Sequence, residues 1–274
     1  MILTLLGKAI RDVWWLLAWL LLLLFVFAWI FVWLSSKIEL PAFMNFLLTL
    51  PNEWERLSGV PFRDVATPAG RVALAYVDPV VVFTLAVWAI ARGSDVVAGE
   101  IGRGTMEMLL AQPVRRISIF LTQAAVTTAG SAALVLALWL GTCAGIRAVR
   151  LPGEVAPEWF LPAAANLFGM TFFLTAVASL ASACDWVRGR VVGLAGGFYV
   201  LAMILKIFGR MAPEWGWIAH GSFLSLVEPQ AFVARPDQAW QLLLHYNGIL
   251  LGLGLLAYAM AAVIFCRRDL PAPL

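Results

Sequence analysis

Six long runs of apolar residues constrain the fold of this chain more than any other feature. An α-helix needs about 20 apolar residues to cross the hydrocarbon core of a bilayer. Backbone N–H and C=O groups inside lipid must form their hydrogen bonds within the protein, which favours helices or a closed barrel. The runs lack the alternating polarity of barrel strands, so they predict membrane-spanning helices. The predicted spans cover about 13–34, 72–91, 117–146, 160–184, 191–208 and 242–266.

The composition places these helices in a membrane. Hydrophobic residues make up 62% of the chain and charged residues only 13%, whereas soluble domains carry about 25% charged residues. The first run is too long for the core of a signal peptide and has no small-residue cleavage site after it, so we expect it to remain as the first span. The prediction is an all-α integral membrane protein, with six transmembrane helices in a single domain, 1–274.

An even number of spans places both termini on one side of the membrane. We define side A by the termini and the loops 92–116 and 185–190, and side B by the loops 35–71, 145–161 and 206–241. Side A carries ten of the 19 basic residues in the shorter total length of loop. This density of Lys and Arg predicts that side A, with the N- and C-termini, is cytoplasmic. The aromatic-rich side B loops are typical of helices at the headgroup level, which serve as an external gate or simply pack on the membrane surface.

Residues that could carry chemistry are sparse. The net charge of +3 comes from scattered basic residues beside the spans, which gives no support for nucleic-acid binding. Cys143, Cys184 and Cys266 lie in or at the ends of apolar runs, without His or Cys at metal-ligand spacing, so we predict buried apolar roles for them. Asp78 precedes Pro79 and is expected to cap a helix rather than to bind a substrate or cation.

No G-x-x-x-x-G-K-[ST] phosphate-binding loop occurs in the chain. If ATP drives this protein, the nucleotide is therefore expected on another polypeptide. We predict no catalytic, cofactor-binding or metal-binding residues on this chain, and no enzymatic activity of its own.

The most informative segment is the side A loop 92–116, which predicts a short helix of its own. Gly102 and Gly104 are expected to end the helix that leaves the second span, because glycine is a poor helix former. Thr105 is a good N-cap residue, and Pro113 is expected to stop the new helix. The sequence therefore predicts an amphipathic helix of a few turns between the second and third spans.

This short helix has an apolar stripe formed by Met106, Leu109 and Leu110 at positions i, i+3 and i+4. Glu107 falls in the first turn, where the helix dipole favours an anion. So short a helix needs a surface on which to bury its stripe. A helix that lies on lipid usually carries Lys or Arg on its polar face, whereas this one carries Glu107 and Gln112. The pattern favours a groove on a partner protein, with lipid as the alternative.

Three glycines recur every fourth residue at the start of the fifth span: Gly189, Gly193 and Gly197. Glycines at this spacing let another helix approach closely. The partner helix is expected either within this chain or on a second subunit.

The segment GEIGRGTMEMLLAQPVRR resembles the loop G-E-x-x-x-G-T-[LM]-[ED]-x-L-L-x-x-P-[VI]-x-R of ABC-2 type transporter permeases. The similarity is to the six-span bacterial subfamily encoded beside copper–nitrous-oxide and sodium export operons. The start of the chain, 1–12, resembles the family's amphipathic elbow helix, which often ends in Arg-Asp. The matched loop positions are Gly99, Glu100, Gly104, Thr105, Met106, Glu107, Leu109, Leu110, Pro113, Val114 and Arg116.

The resemblance implies a transporter in which this chain is the membrane-spanning subunit. It implies a separate ABC ATPase subunit that holds ATP and Mg, a second copy of this permease or a related one, a bacterial inner membrane and export. The loop 92–116 would then be the coupling helix, and the second and fifth spans would line the pore, with the three glycines near the dimer axis. The residues expected at the ATPase contact are Glu100, Gly104, Thr105, Met106, Glu107, Leu109, Leu110, Gln112 and Pro113.

Two other functions stay open: a membrane scaffold or assembly factor that keeps the permease fold, and a membrane-embedded enzyme that modifies lipid. The enzyme would need polar catalytic residues at one membrane depth. An apolar, uncharged pore would favour a lipid, a hydrophobic peptide or an amphipathic drug over a bare ion.

Overall fold

The structure, a computed structural model, describes residues 2–38, 40–111, 115–149, 151 and 153–268. This part of the chain consists of helices and their connections, without strands. Six of its helical segments are long and apolar enough to cross a membrane, which confirms the predicted all-α class and the number of spans and indicates a multi-pass membrane protein. The spans are Thr4–Lys37, Pro68–Gly102, Arg116–Ala148, Pro157–Cys184, Arg188–Met211 and Pro236–Arg267.

Several of these spans contain more than one helical element. The α-helices are α1 (Ile2–Lys37), α2 (Leu40–Thr49), α3 (Asn52–Ser58), α4 (Phe62–Val65), α5 (Pro68–Ala73), α6 (Pro79–Ser94), α7 (Glu100–Gly102), α8 (Thr105–Leu110), α9 (Arg116–Ala148), α10 (Leu161–Cys184), α11 (Arg188–Met211), α12 (Pro229–Ala234) and α13 (Ala239–Arg267). A π-helix covers Asp95–Gly99, and 3₁₀ helices cover Leu74–Tyr76, Pro157–Phe160, Pro213–Gly221, Phe223–Leu226 and Pro236–Gln238.

The first two spans differ in extent from the predicted runs. Residues 2–12, expected as a separate elbow helix, are the first turns of the unbroken helix α1. The second span, expected to end at 91, continues through the π-helix to Gly102. Hydropathy alone ended it early, because Arg92 and Asp95 lower the local hydropathy but neutralise each other inside the bundle.

Local capping explains where the second span and its main helix begin. Asp78 Oδ1 accepts a hydrogen bond of 2.8 Å from the backbone N–H of Val80, with Pro79 at the first helical position, as the sequence predicted. Thr67 Oγ1 accepts a 3.0 Å bond from Gly70 N at the start of α5. The two caps satisfy free N–H groups at both helix starts.

The core of the bundle forms around α10, the most buried of the six spans. Its neighbours include α6 and α13, and α1 packs along α9. Gly93 on α6 allows one close approach, since a Cβ there would lie 2.5 Å from Ala178 Cβ on α10. Gly141 on α9 does the same against α1, where a Cβ would lie 2.3 Å from the carbonyl oxygen of Phe25.

Contacts between distant residues show which segments share an end of the bundle. At side A, Arg116 donates to the carbonyl of Arg268, and Arg268 donates to the carbonyl of Ala183, both at 2.8 Å. At side B, the buried guanidinium of Arg71 donates to the carbonyls of Ser35 at 3.1 Å and Ile38 at 2.6 Å. Arg71 thereby satisfies the terminal carbonyls of α1 and complements its dipole.

Candidate functional site at side A

The short helix predicted between the second and third spans is α8, Thr105–Leu110. It follows the end of α7 at Gly102 and a turn in which Gly104 has φ of 68°, a left-handed conformation that favours glycine. Gln112 and Pro113 lie outside the described residues, as do the side chains of Glu107, Leu109 and Leu110. Their roles at a partner surface stay predictions from the sequence.

Glu100 is the centre of the contacts that hold α8 in place. Its side chain is only 2% exposed and lies 3.0 Å from Lys8 Nζ and 3.2 Å from Arg103 Nη2. Thr105 donates its hydroxyl to the Glu100 carboxylate and also, at 3.2 Å, to the Glu100 carbonyl. Glu100 therefore connects the first turns of α1 and the start of α8 to the end of the second span.

This geometry gives Glu100 and Thr105 a role within the chain. Both were expected to contact an ATPase, but their polar groups are directed to each other inside this chain. A buried carboxylate is costly unless it is paired and hydrogen-bonded, and three partners meet that need for Glu100. The two residues position α8 in this chain, and their contact with an ATPase stays a prediction.

A second buried carboxylate, Asp95, lies beside the first. Arg92 Nη1 lies 3.0 Å from it, Arg103 Nη1 2.7 Å, and Arg188 Nε 3.6 Å. The hydrogen bond to Asp95 raises the pKa of Arg103, so this guanidinium stays charged. Because Arg103 bridges both carboxylates and Arg188 begins α11, the network joins the first, second and fifth spans.

The π-helix between Asp95 and Gly99 is held by one side chain from the fourth span. Ser182 Oγ accepts hydrogen bonds from Val97 N at 3.2 Å and Ala98 N at 2.9 Å, and it donates to Ser94 O at 3.0 Å. These bonds occupy backbone groups where the regular helical pattern changes. π-segments inside α-helices are frequent at functional sites, where they redirect side chains.

The structure corrects the predicted apolar stripe of α8 at Met106. This side chain is 3% exposed and belongs to a buried cluster with Val96, Val97, Phe120 and Phe265. Met106 therefore faces the bundle, packing α8 onto the second, third and sixth spans.

Among the α8 side chains that the structure describes, Met108 is exposed, at 71%. The stripe was assigned to one face on spacing alone. Spacing shows which residues share a face but not which face the bundle covers.

Sequence reasoning missed most of the charged network. Arg92, Asp95, Glu100 and Arg103 stand at i, i+3, i+8 and i+11, a spacing that places them near one face of a helix. That spacing was a usable signal. The prediction of a loop from 92 onward places these residues outside the second span, whereas the structure continues that span to Gly102.

Gly189, Gly193 and Gly197 have no close neighbour from another segment among the residues that the structure describes. A Cβ added at any of the three would have no heavy atom of another side chain or segment within 4 Å. Helix α11 buries a narrow stripe that includes Val191 and Ala195, and the glycines lie outside it. Among the described residues their face is open, and the packing of these glycines against a second subunit stays a prediction.

The cysteines divide into one buried and two exposed thiols. Cys143 is buried as expected, whereas Cys184 and Cys266, at or near side A, are exposed, which corrects their predicted burial. Within the described ranges, no group of three or more His, Cys, Asp and Glu side chains could hold a metal ion.

No protein-family model matches the chain, and no curated protein matches it at a significant level. The resemblance of the loop 92–116 to ABC-2 permeases therefore stays a prediction from the sequence.

Proposed function

We propose that this chain is the membrane-spanning subunit of an ATP-driven transporter of the ABC-2 type, which acts with a separate ATPase chain. One observation carries the proposal. A short helix lies between the second and third spans and is joined to the bundle by the buried carboxylate of Glu100 and the buried side chain of Met106. The motif around it resembles the coupling segment of that family.

The contacts of α8 support a mechanical role. Through Glu100 it is joined to α1, and through Met106 it packs on the second, third and sixth spans. A partner that displaced α8 would therefore move several spans together. A rigid-body motion of this kind is the usual basis of alternating access.

The partner surface would include the exposed side chain of Met108. Glu107, Leu109 and Leu110 belong to the proposed contact because the resemblance implies it, although the spacing places the two leucines on the same face as the buried Met106. A second permease copy, the bacterial inner membrane and the export direction belong to the same proposal and follow from the resemblance.

The test uses the full chain co-expressed with its ATPase and reconstituted in vesicles. Met108→Asp is expected to reduce co-purification of the ATPase and to uncouple ATP hydrolysis from transport, because it places a charge in an apolar contact. The double variant Leu109→Asp with Leu110→Asp is expected to do the same. The matched control is Met211→Asp, which changes an exposed methionine at the other end of the bundle.

Unchanged co-purification and transport in the Met108→Asp and Leu109→Asp/Leu110→Asp variants would show that α8 is not the coupling helix. A scaffold or assembly factor gives a different result. The ATPase would then bind but show the same hydrolysis with and without this chain, and no solute would accumulate in the vesicles.

A further inference from the structure

A cavity of about 280 Å³ opens in the side B half of the bundle. It lies between α6, α10, α11 and the segment that precedes α12, and most of its wall is apolar. Tyr76, Met170, Tyr199 and Met203 are among the residues that line it. Its volume is close to the lower end of the range found for small-molecule sites.

The charged residues that line this cavity, within the described part of the chain, are both cations, Lys206 and Arg210. One carboxylate accompanies them: Glu228 lies 3.1 Å from Lys206 Nζ and also pairs with Arg210. These three side chains therefore carry one positive charge in excess. Glu228 itself lines an adjoining cavity of about 320 Å³, of which Arg210 forms a shared wall.

The cations are held in position by backbone groups of neighbouring segments. Lys206 Nζ donates to Val227 O at 2.8 Å, and Arg210 Nη1 donates to Leu57 O at 2.7 Å. Gly59, with φ of 75°, leaves room for the guanidinium, since a Cβ there would lie 2.5 Å from Arg210 Nη2. The two cations of α11 are therefore fixed by hydrogen bonds to α3 and to the segment before α12.

We propose that this cavity binds an anionic amphiphile, with its phosphate or carboxylate head on Lys206 and Arg210 and its apolar tail between α6, α10 and α11. The head would share the two cations with Glu228, and the tail would cover apolar surface in the cavity. The identification of this amphiphile as the transported substrate rests on the proposed function. It also replaces the expected uncharged pore with a site that carries two cations.

The adjoining cavity indicates the direction in which a bound ligand would leave the site. The Arg210–Glu228 pair lies between the apolar cavity and the adjoining one, which Asp64 and Arg235 also line. An anion on Arg210 competes with Glu228 and so weakens the contact that separates the two cavities. The same ligand that fills the site therefore favours its opening towards side B.

The experiment labels the purified full chain in phosphatidylcholine nanodiscs with a dodecyl phosphate that carries a diazirine in its tail. Cross-linked peptides are mapped by mass spectrometry and are expected to cover 199–210 and 224–229. The competitors are dodecyl phosphate, dodecylphosphocholine and inorganic phosphate. Dodecyl phosphate is expected to displace the probe at a roughly tenfold lower concentration than dodecylphosphocholine, because the zwitterion lacks net negative charge.

Variants of the cation and of the carboxylate are expected to change the labelling in opposite directions. Lys206→Met is expected to weaken labelling several-fold and Lys206→Arg to restore it, whereas Glu228→Gln is expected to strengthen it by removing the competing anion. Lys37→Met, at an exposed cation beside Trp33 on side B, is the control and should leave labelling unchanged. If Lys206→Met does not fold, the gain in Glu228→Gln still decides the question, since a purely structural role would not produce a gain.

Three results would overturn the inference: equal displacement by dodecylphosphocholine, equal displacement by inorganic phosphate, or weaker labelling in Glu228→Gln. Equal displacement by dodecylphosphocholine would show that net charge has no role, and equal displacement by inorganic phosphate would show a site for free phosphate. Weaker labelling in Glu228→Gln would show that Glu228 does not compete with the ligand. Labelling needs no ATPase, so it tests the binding site independently of the proposed function. If labelling fails while the Met108→Asp variant uncouples ATP hydrolysis from transport, only the binding site is rejected. Labelling of a chain that neither stimulates an ATPase nor transports rejects only the proposed function.

Discussion

The ammonium group of Lys8 lies 3.0 Å from the carboxylate of Glu100, a residue 92 positions later in the chain. The contact joins the first turns of α1 to the last turn of the second span. Its two partners differ in exposure, since the Lys8 side chain is 36% exposed and the Glu100 side chain only 2%. Removal of either partner should therefore have unequal consequences.

Glu100→Gln is expected to lower the free energy of unfolding by about 1–3 kcal/mol, because Arg103, Lys8 and the Thr105 hydroxyl lose a charged acceptor. Lys8→Met is expected to cost less, about 0.2–1 kcal/mol, because Glu100 keeps two partners and a partly exposed ion pair is weak. Unfolding of the purified protein in detergent measures both. Arg11→Met, at an exposed cation one turn later, is the control. Equal losses for Lys8→Met and Glu100→Gln would show that Glu100 is not the centre of the network.

Ser182→Ala is expected to destabilise the π-helix in the second span. The substitution removes the acceptor for Val97 N and Ala98 N and the donor to Ser94 O, and leaving buried polar groups unsatisfied costs about 1–3 kcal/mol. Hydrogen exchange of the amides at 95–99 should accelerate. Ser36→Ala removes only a local hydroxyl bond to Trp33 O and should change little. Unchanged exchange at 95–99 would show that Ser182 does not hold the segment.

Gly93→Ala and Gly7→Ala are expected to change the stability of the protein in opposite directions. At Gly93 the new Cβ would lie 2.5 Å from Ala178 Cβ and 2.7 Å from the carbonyl of Thr175, and such overpacking costs about 1–3 kcal/mol. At Gly7 a Cβ would meet nothing within 4 Å, and an alanine inside a helix gains about 0.5–1 kcal/mol. Thermal unfolding midpoints should move down for the first variant and up for the second. A rise for Gly93→Ala would contradict the close contact of α6 with α10.

Gly193→Leu tests whether the open glycine face of α11 meets a second copy. A Cβ at this position would meet nothing within 4 Å among the described residues, so the unfolding temperature of the monomer should not fall. If the glycines lie at a subunit interface, leucine there should disrupt the dimer, as measured by light scattering after gel filtration. Gly252→Leu is the matched control, because that glycine on α13 also has open space around it. A dimer that survives Gly193→Leu places the interface elsewhere.

Helix starts and breaks that depend on residues adjacent in the sequence could be predicted from the sequence. The start of α6 at Asp78 and Pro79 follows from the free N–H groups of a helix and from the fixed φ of proline. The break before α8 follows from Gly102 and Gly104. The outcome at Met106 was different, because an amphipathic spacing does not show whether its apolar face is covered by the same chain or by another.

The charged groups of side A and side B required the folded chain. Three ion pairs join different segments of the chain: Lys8 with Glu100, Arg188 with Asp95, and Lys206 with Glu228. No local pattern of apolar residues indicates such pairing.

The amino-acid sequence by itself determined the number of spanning helices, their all-α character and the place of the short helix between the second and third spans. These properties follow from the length of apolar runs and from single residues that start or stop helices. Only the tertiary structure decided that Glu100 and Asp95 are buried, that Met106 faces inward and that two cations line a side B cavity. The reason is physical: a buried charge needs counter-charges and hydrogen bonds around it, and those that come from distant segments, as Lys8 does for Glu100, depend on packing, which is not a local property.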